Sequence, residues 1–152
     1  NGTGSTEKYK ILDPKNYPFR IADMTLPSCN TGIVYMLNSL CRRSYTYIGK
    51  TFNPRKRLNN HNSGCGSIAT EPSYLRPFAI MAYISGFEGN NDLMLAVERN
   101  WKIQRDLLIQ QNIYDPKEWA KAGRLVINNE SLESNYNIGS YNLGLVLLFK
   151  SE

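Results

Sequence analysis

The eight residues from Phe78 to Ser85, FAIMAYIS, carry almost no polar side chain. Such a run reads as a strand buried on both faces, and that strand needs cover above and below its sheet. This restricts the chain to a layered architecture. Two more strand-like runs precede it. One is Gly32 to Leu37 (GIVYML); the other is Ser44 to Gly49, where Tyr45, Thr46, Tyr47 and Ile48 supply aromatic and β-branched side chains. Residues 38–43 join them, which predicts an antiparallel hairpin, and Gly49 is expected to end the second strand.

Helix signals fill the gaps between the strands. Asn53 is a natural N-cap with Pro54 as the first helical residue, so a helix is expected to about Asn62, stopped by Gly64. Residues 63–76 are rich in Gly and Ser and read as loop. Asn90 or Asn91 caps a long helix from about Asp92 to Gln111, with Met94, Val97, Trp101 and Leu108 on its apolar stripe. Asp115-Pro116 opens a short helix to about Ala122, and the tail from about Gly139 ends in the strand-like LGLVLLF. The order is β-β-α-β-α, then a helix and a strand. It predicts an α/β fold: a small, mostly antiparallel, three-stranded central sheet flanked by helices, with an extra C-terminal helix and strand.

At 152 residues the chain suits one domain, and 41% hydrophobic content is enough for a core. Residues 1–30, with Pro14, Pro18 and Pro27, read as an N-terminal arm on that domain, onto which Tyr9, Ile11, Leu12, Tyr17 and Phe19 could pack. The opening NGTGS could be a cloning remnant and carries no expected element of the fold. A net charge of +5 permits nucleic-acid binding and is equally met by a solvated surface. Its distribution says more: Lys50, Arg55, Lys56 and Arg57 cluster, Arg42 and Arg43 lie just upstream, and no acid falls between Asp23 and Glu71. Cys29, Cys41 and Cys65 lack metal spacing and the chain has a single histidine, so neither structural zinc nor a disulfide framework is expected. No apolar run is long enough to span a bilayer, and no signal segment opens the chain. The expectation is an intracellular protein, nuclear if eukaryotic and otherwise cytoplasmic.

Arg57 and His61 are four residues apart and share a helix face. Lys50 lies in the turn before, and Tyr47 in the strand that leads into it. Tyr35 is expected across from Tyr47, with Tyr45 on the same pleat face. A half-buried cross-strand contact would explain the tyrosines equally well, and a charged surface helix would explain Arg57 and a solvated His61. Read for chemistry, arginine, lysine and helix-start N–H groups hold phosphate oxygens, and histidine passes protons. Glu98 borders the buried stripe of the long helix. A salt bridge to Lys102 or Arg99 is one reason for a carboxylate there; a hard divalent ion, held with waters and phosphate oxygens, is the other.

Together these residues resemble the GIY-YIG nuclease superfamily over about Gly32 to Ile103. The second signature is Tyr47-Ile48-Gly49. The first is Ile33-Val34-Tyr35, with the family's glycine one place early or replaced by Ile33. Arg57 and His61 follow Tyr47 at the family's spacings, and its metal-binding glutamate begins the E-x-x-W of Glu98 to Trp101. The resemblance implies a nuclease core over 31–112, extended within the same domain by 113–152. It implies Mg²⁺ or Mn²⁺, as one ion on Glu98, and cleavage of a DNA phosphodiester to 5′-phosphate and 3′-hydroxyl. Tyr47 would be general base, Tyr35 would position water or phosphate, Arg57 would clamp the scissile phosphate, and His61 would orient or relay a proton. Lys50 resembles the lysine after this motif in excision-repair nucleases and would support an anionic tyrosine. Arg42, Arg43, Arg55, Lys56 and Arg76 would meet nucleic acid.

NPRKRLNNHNSG followed by RPFAIMAYISGF is most similar to the branch that cuts flaps and branched DNA. That branch usually continues into a RING-like zinc domain docking a scaffold protein, whose cysteines are absent from this sequence. DNA and a scaffold protein are thus the implied partners, with no membrane and no small-molecule cofactor. The alternatives are a non-catalytic nucleic-acid-binding module of the same fold, and an RNA-directed or sequence-specific nuclease of restriction or homing type.

Overall fold

Strand β1 (Ile33–Ser39) is buried along its whole length, as only a central strand with layers on both sides can be. The computed structural model describes residues 31–128 and 141–149, so the expected arm over 1–30 and Cys29 lie outside the described residues. β1 pairs antiparallel with β2 (Thr46–Thr51) on one side and β3 (Phe78–Ser85) on the other. β4 (Gly144–Leu147) adds antiparallel to β3. The sheet is therefore four-stranded in the order β2-β1-β3-β4: the expected trio, widened by the C-terminal strand.

β1 alternates between two apolar clusters, as the period of a strand requires. Val34 and Met36 point to one face with Ile48 and Ile84, and helix α2 (Asn91–Gln110) covers it with Leu93, Met94, Val97 and Trp101. Ile33, Tyr35 and Leu37 point to the other with Ile80 and Leu148, and helix α1 (Pro54–Ser63) adds Leu58 there. The expected short helix after Asp115 is α3 (Pro116–Lys121), and a second one, α4 (Gly123–Ile127), follows it. No helix among the described residues is long and apolar enough to cross a membrane.

Local chemistry sets the ends of α1. The Asn53 side chain accepts from the Lys56 N–H at 3.2 Å, Pro54 occupies the first turn, and Gly64 closes the helix in the left-handed region at φ +84°. A longer-range clamp then fixes its pose. Asn62 accepts the Phe78 N–H at 2.7 Å and donates to the Phe78 carbonyl at 3.1 Å, joining the last turn of α1 to the start of β3. This holds the neighbouring His61 against the sheet.

Two sequence expectations about β2 are corrected. Gly49 does not end the strand, which runs on to Thr51. Tyr35 does not stand across from Tyr47 either: the register pairs Tyr35 with Gly49 and Tyr47 with Leu37. The physical reason is steric. A Cβ at Gly49 would lie 2.7 Å from the Tyr35 hydroxyl oxygen and 2.8 Å from Tyr47 Cε2, so the two rings share the space that a bare glycine leaves.

Candidate active site

Tyr35 and Tyr47 enter from adjacent strands, diagonally related, with ring centroids 6.3 Å apart. His61 enters from α1 and packs against both, its ring centre 5.9 Å from that of Tyr35 and 4.9 Å from that of Tyr47. The histidine is fully buried, which removes the solvated-surface alternative. Its Nε2 lies 2.8 Å from the Tyr35 hydroxyl and its Nδ1 lies 2.7 Å from Thr70 Oγ1. Thr70 belongs to a 3-10 turn (Ile68–Thr70) in the loop after α1.

Arg57, one turn before His61, lies close enough to both phenols for its charge to interact with them. Burial works against its charge, but the two phenols, Tyr35 first, outweigh it and raise its pKa. Burial pushes the Tyr35 phenol well above its ordinary range; Arg57 opposes the shift, while Tyr47 and Glu98 add to it. Tyr35 is therefore a neutral phenol. Burial first, and then the Arg57 charge, push His61 down to about 4, so the imidazole is neutral too. The cluster is an uncharged phenol–imidazole pair beside a permanent cation, a setting suited to an anionic substrate.

Glu98 comes from α2, which packs on β2, and its charge is felt at the Tyr35 phenol. Its side chain is 14% exposed and makes an ion pair with Lys102 at 2.9 Å, one helical turn on. Of the two sequence explanations the salt bridge is present, and the acid also lies close enough to Tyr35 to act on it. Among the described residues no group of three His, Cys, Asp or Glu side chains could hold a metal. A hard ion that keeps most of its waters needs only such a single carboxylate, so Glu98 fits Mg²⁺ or Mn²⁺ and no two-metal cage.

Residues 31–107, just over half of the chain, match the GIY-YIG catalytic domain. The chain belongs to the GIY-YIG family. It is 45% identical over 56 residues to the structure-specific endonuclease subunit SLX1 of Podospora anserina, covering 36% of this chain and 16% of that one. It is 37% identical over 70 residues to slx1 of Talaromyces stipitatus, 45% of this chain and 18% of the relative. Acanthamoeba polyphaga mimivirus has a relative, Uncharacterized protein L300, that is 39% identical over 90 residues, 52% of this chain and 51% of the viral one. The chain thus spans under a fifth of these fungal relatives and about half of the viral protein.

The other residues singled out in the GIY-YIG sequence pattern lie further out. The Lys50 ammonium donates to Asn91 Oδ1 at 2.9 Å, at the start of α2. Arg55 and Lys56 are exposed on α1, and Arg42 and Arg43 are exposed in the β1–β2 connection, with Arg42 over the Tyr74 ring. Arg76 differs from these. It is half-buried, donates to the Glu71 carbonyl at 2.7 Å and lies against Gly64, bracing the loop that follows α1.

Sequence reasoning missed Thr70, whose contact with His61 bridges nine residues and has no local signature. It also missed a groove of about 490 Å³ beside the GIY-YIG centre, walled by Tyr45, Tyr47, Lys102 and Arg105, with Ile48, Ile109 and Trp119 among its apolar lining. The Arg105 guanidinium reaches from α2 to Thr46 on β2 at 3.5 Å, which a four-residue helix pattern could not have revealed.

Proposed function

We propose that this chain is a divalent-metal-dependent DNA endonuclease that cuts phosphodiester bonds, with branched or flap DNA as substrate and 5′-phosphate and 3′-hydroxyl as products. One observation carries the reading: Tyr35, Tyr47, Arg57 and His61 converge from two strands and a helix on one spot within the field of Glu98. Arg57 offers the scissile phosphate a fixed cation and offsets the charge that builds up during in-line attack, an effect worth about 3–4 kcal/mol in comparable sites. Tyr47, less buried than Tyr35, takes the proton of the attacking water. Tyr35, kept as a phenol by burial, orients that water or a phosphate oxygen. His61 orients Tyr35 in turn. Glu98 would hold the metal, which when bound would stabilise charge on the leaving 3′ oxygen. Exposed Arg42, Arg43, Arg55 and Lys56 supply sequence-independent attraction for the DNA backbone.

The names of the fungal relatives support the finer reading: each is called a structure-specific endonuclease subunit, which favours branched substrates and a protein partner. A non-catalytic DNA-binding module has one observation in its favour, the Lys102 ion pair that already occupies Glu98. Labelled flap, fork, junction, duplex and single-stranded DNA, with an RNA control, incubated with Mg²⁺ and with EDTA, decide between them. Cleavage of branched DNA that needs Mg²⁺ and vanishes in a folded, DNA-binding Glu98→Ala variant is the expected result. Binding without cleavage of any substrate would leave the module reading.

A further inference from the structure

Three buried side chains in this centre form one hydrogen-bond chain. Thr70 and His61 are fully buried and Tyr35 is 1% exposed, so water cannot stand in for a missing partner at their inward-facing atoms. Thr70 Oγ1 donates to the Ser67 carbonyl at 3.3 Å, three residues back. A hydroxyl that keeps this bond can meet His61 Nδ1, 2.7 Å away, only as an acceptor, which places the imidazole proton on Nδ1. Nε2 is then bare and accepts the Tyr35 O–H at 2.8 Å. Arg57 has only N–H groups to offer, so its attraction to Tyr35 falls on the lone pairs of the phenol oxygen.

The opposite tautomer fails this accounting. An Nε2–H would donate to the Tyr35 oxygen, leaving the phenolic proton without either ring nitrogen. Thr70 would also have to abandon Ser67 to donate to Nδ1. The loop closes tightly over the ring: a Cβ at Gly66 would lie 2.5 Å from Nδ1 and 2.9 Å from the His61 Cα, so only glycine lets the backbone come this close.

We propose that Thr70 is a positioning residue: by accepting the Nδ1–H of His61 it selects one tautomer, and through it makes Tyr35 a donor to the imidazole and an acceptor toward the cleft. A phenol oxygen whose proton points inward presents only lone pairs outward. It can then receive an O–H from the nucleophilic water and aim it, but cannot spend its own proton on a phosphate oxygen. That consequence rests on the nuclease reading; the tautomer itself does not.

The chain has a single histidine, so a long-range ¹⁵N spectrum of the DNA-free, metal-free protein reads this ring alone. The expected spectrum has a protonated Nδ1 and a bare Nε2. Thr70→Val, close in volume but without the hydroxyl, should move the ring toward the Nε2–H form, and Thr70→Ser should restore the parent spectrum. On flap DNA, Thr70→Val should lower kcat roughly tenfold to a hundredfold with KM little changed, as misorientation within a reacting pair does, and Thr70→Ser should recover most of it. A parent protein already in the Nε2–H form overturns the proposal, even if Thr70→Val does not fold. So does a shifted tautomer with unchanged kcat, or an unshifted one in the valine variant. Because the spectra need no substrate, a protein that cuts no DNA would refute the nuclease reading and leave the tautomer result standing.

Discussion

Gly49 stands directly opposite Tyr35 in the β1–β2 ladder, and the rings of Tyr35 and Tyr47 fill the space where a side chain on that glycine would project. The glycine of the second signature is thus a spacer for two phenols. Gly49→Ala would push a methyl group to 2.7 Å from one ring's oxygen and 2.8 Å from the other ring's edge, so both must shift. Overpacking of this kind costs about 1–3 kcal/mol, and displacing groups that must meet a phosphate costs about a hundredfold in rate. Thermal melting should show a lower Tm, and flap cleavage a loss mainly in kcat. Full kcat in the alanine variant would separate this pair from the chemistry.

His61 makes stability depend on pH. Its ordinary pKa of 6.5 holds in the unfolded chain, whereas burial, with Arg57 beside it, holds the folded value near 4. Between those values the unfolded state takes up a proton that the folded state refuses, so stability rises with pH there. The stabilisation is complete above about pH 6.5 and is lost as pH falls toward 4, by up to about 3 kcal/mol. Denaturant unfolding at pH 7 and pH 4.5 should show the parent protein losing more stability than His61→Asn, in which nothing titrates at that position. Equal losses would mean that the imidazole is not buried in its neutral form.

How much of this was legible in the chain depends on the range over which each cause acts. Phe78–Ser85 was readable to the residue because an unbroken apolar run is a local signal. The ends of α1 were nearly so, because Asn53, Pro54 and Gly64 act on their own neighbours. The E-x-x-W and the helical step from Arg57 to His61 were visible for the same reason. What stayed hidden was decided by residues far apart in sequence. Gly49 looked like a strand terminator because its true neighbour is a ring on another strand. Thr70 looked like any loop threonine until the loop closed over His61. Arg76 counted as one more cation until its guanidinium proved to be engaged with backbone.

If Glu98 holds the metal as proposed, Lys102 and that ion compete for one carboxylate. The lysine reaches Glu98 at 2.9 Å from one turn away, and its side chain is 42% exposed, so the pair is weak enough to be displaced. Lys102→Met keeps the aliphatic stem and removes the rival charge. The Mg²⁺ concentration for half-maximal cleavage should then fall about twofold, matching the roughly 0.3–0.5 kcal/mol such a pair is worth. Stripping Mg²⁺ with EDTA should still abolish cleavage in both proteins. An unchanged or higher Mg²⁺ requirement in Lys102→Met would mean that the ion is held elsewhere than on Glu98.

The groove walled by Tyr45, Tyr47, Lys102 and Arg105 shares Tyr47 with the proposed catalytic cluster, so a strand with its phosphate at Arg57 is expected to run on into it. Arg105 is the cation there best placed for a flanking phosphate. It is held at 3.2 Å by Asp106, whose side chain is 59% exposed and whose charge can be left to solvent, and it touches none of the groups assigned to bond breaking. Arg105→Ala should therefore weaken binding without slowing the chemical step: KM for DNA rises roughly three- to tenfold and kcat stays put. One phosphate contact fewer also lowers the slope of log affinity against log salt by about one. Filter binding over a salt series in EDTA measures the slope, and steady-state cleavage the KM. If kcat fell instead, Arg105 would have to act on the reacting phosphate itself, and the path of the strand past Tyr47 would need to be redrawn.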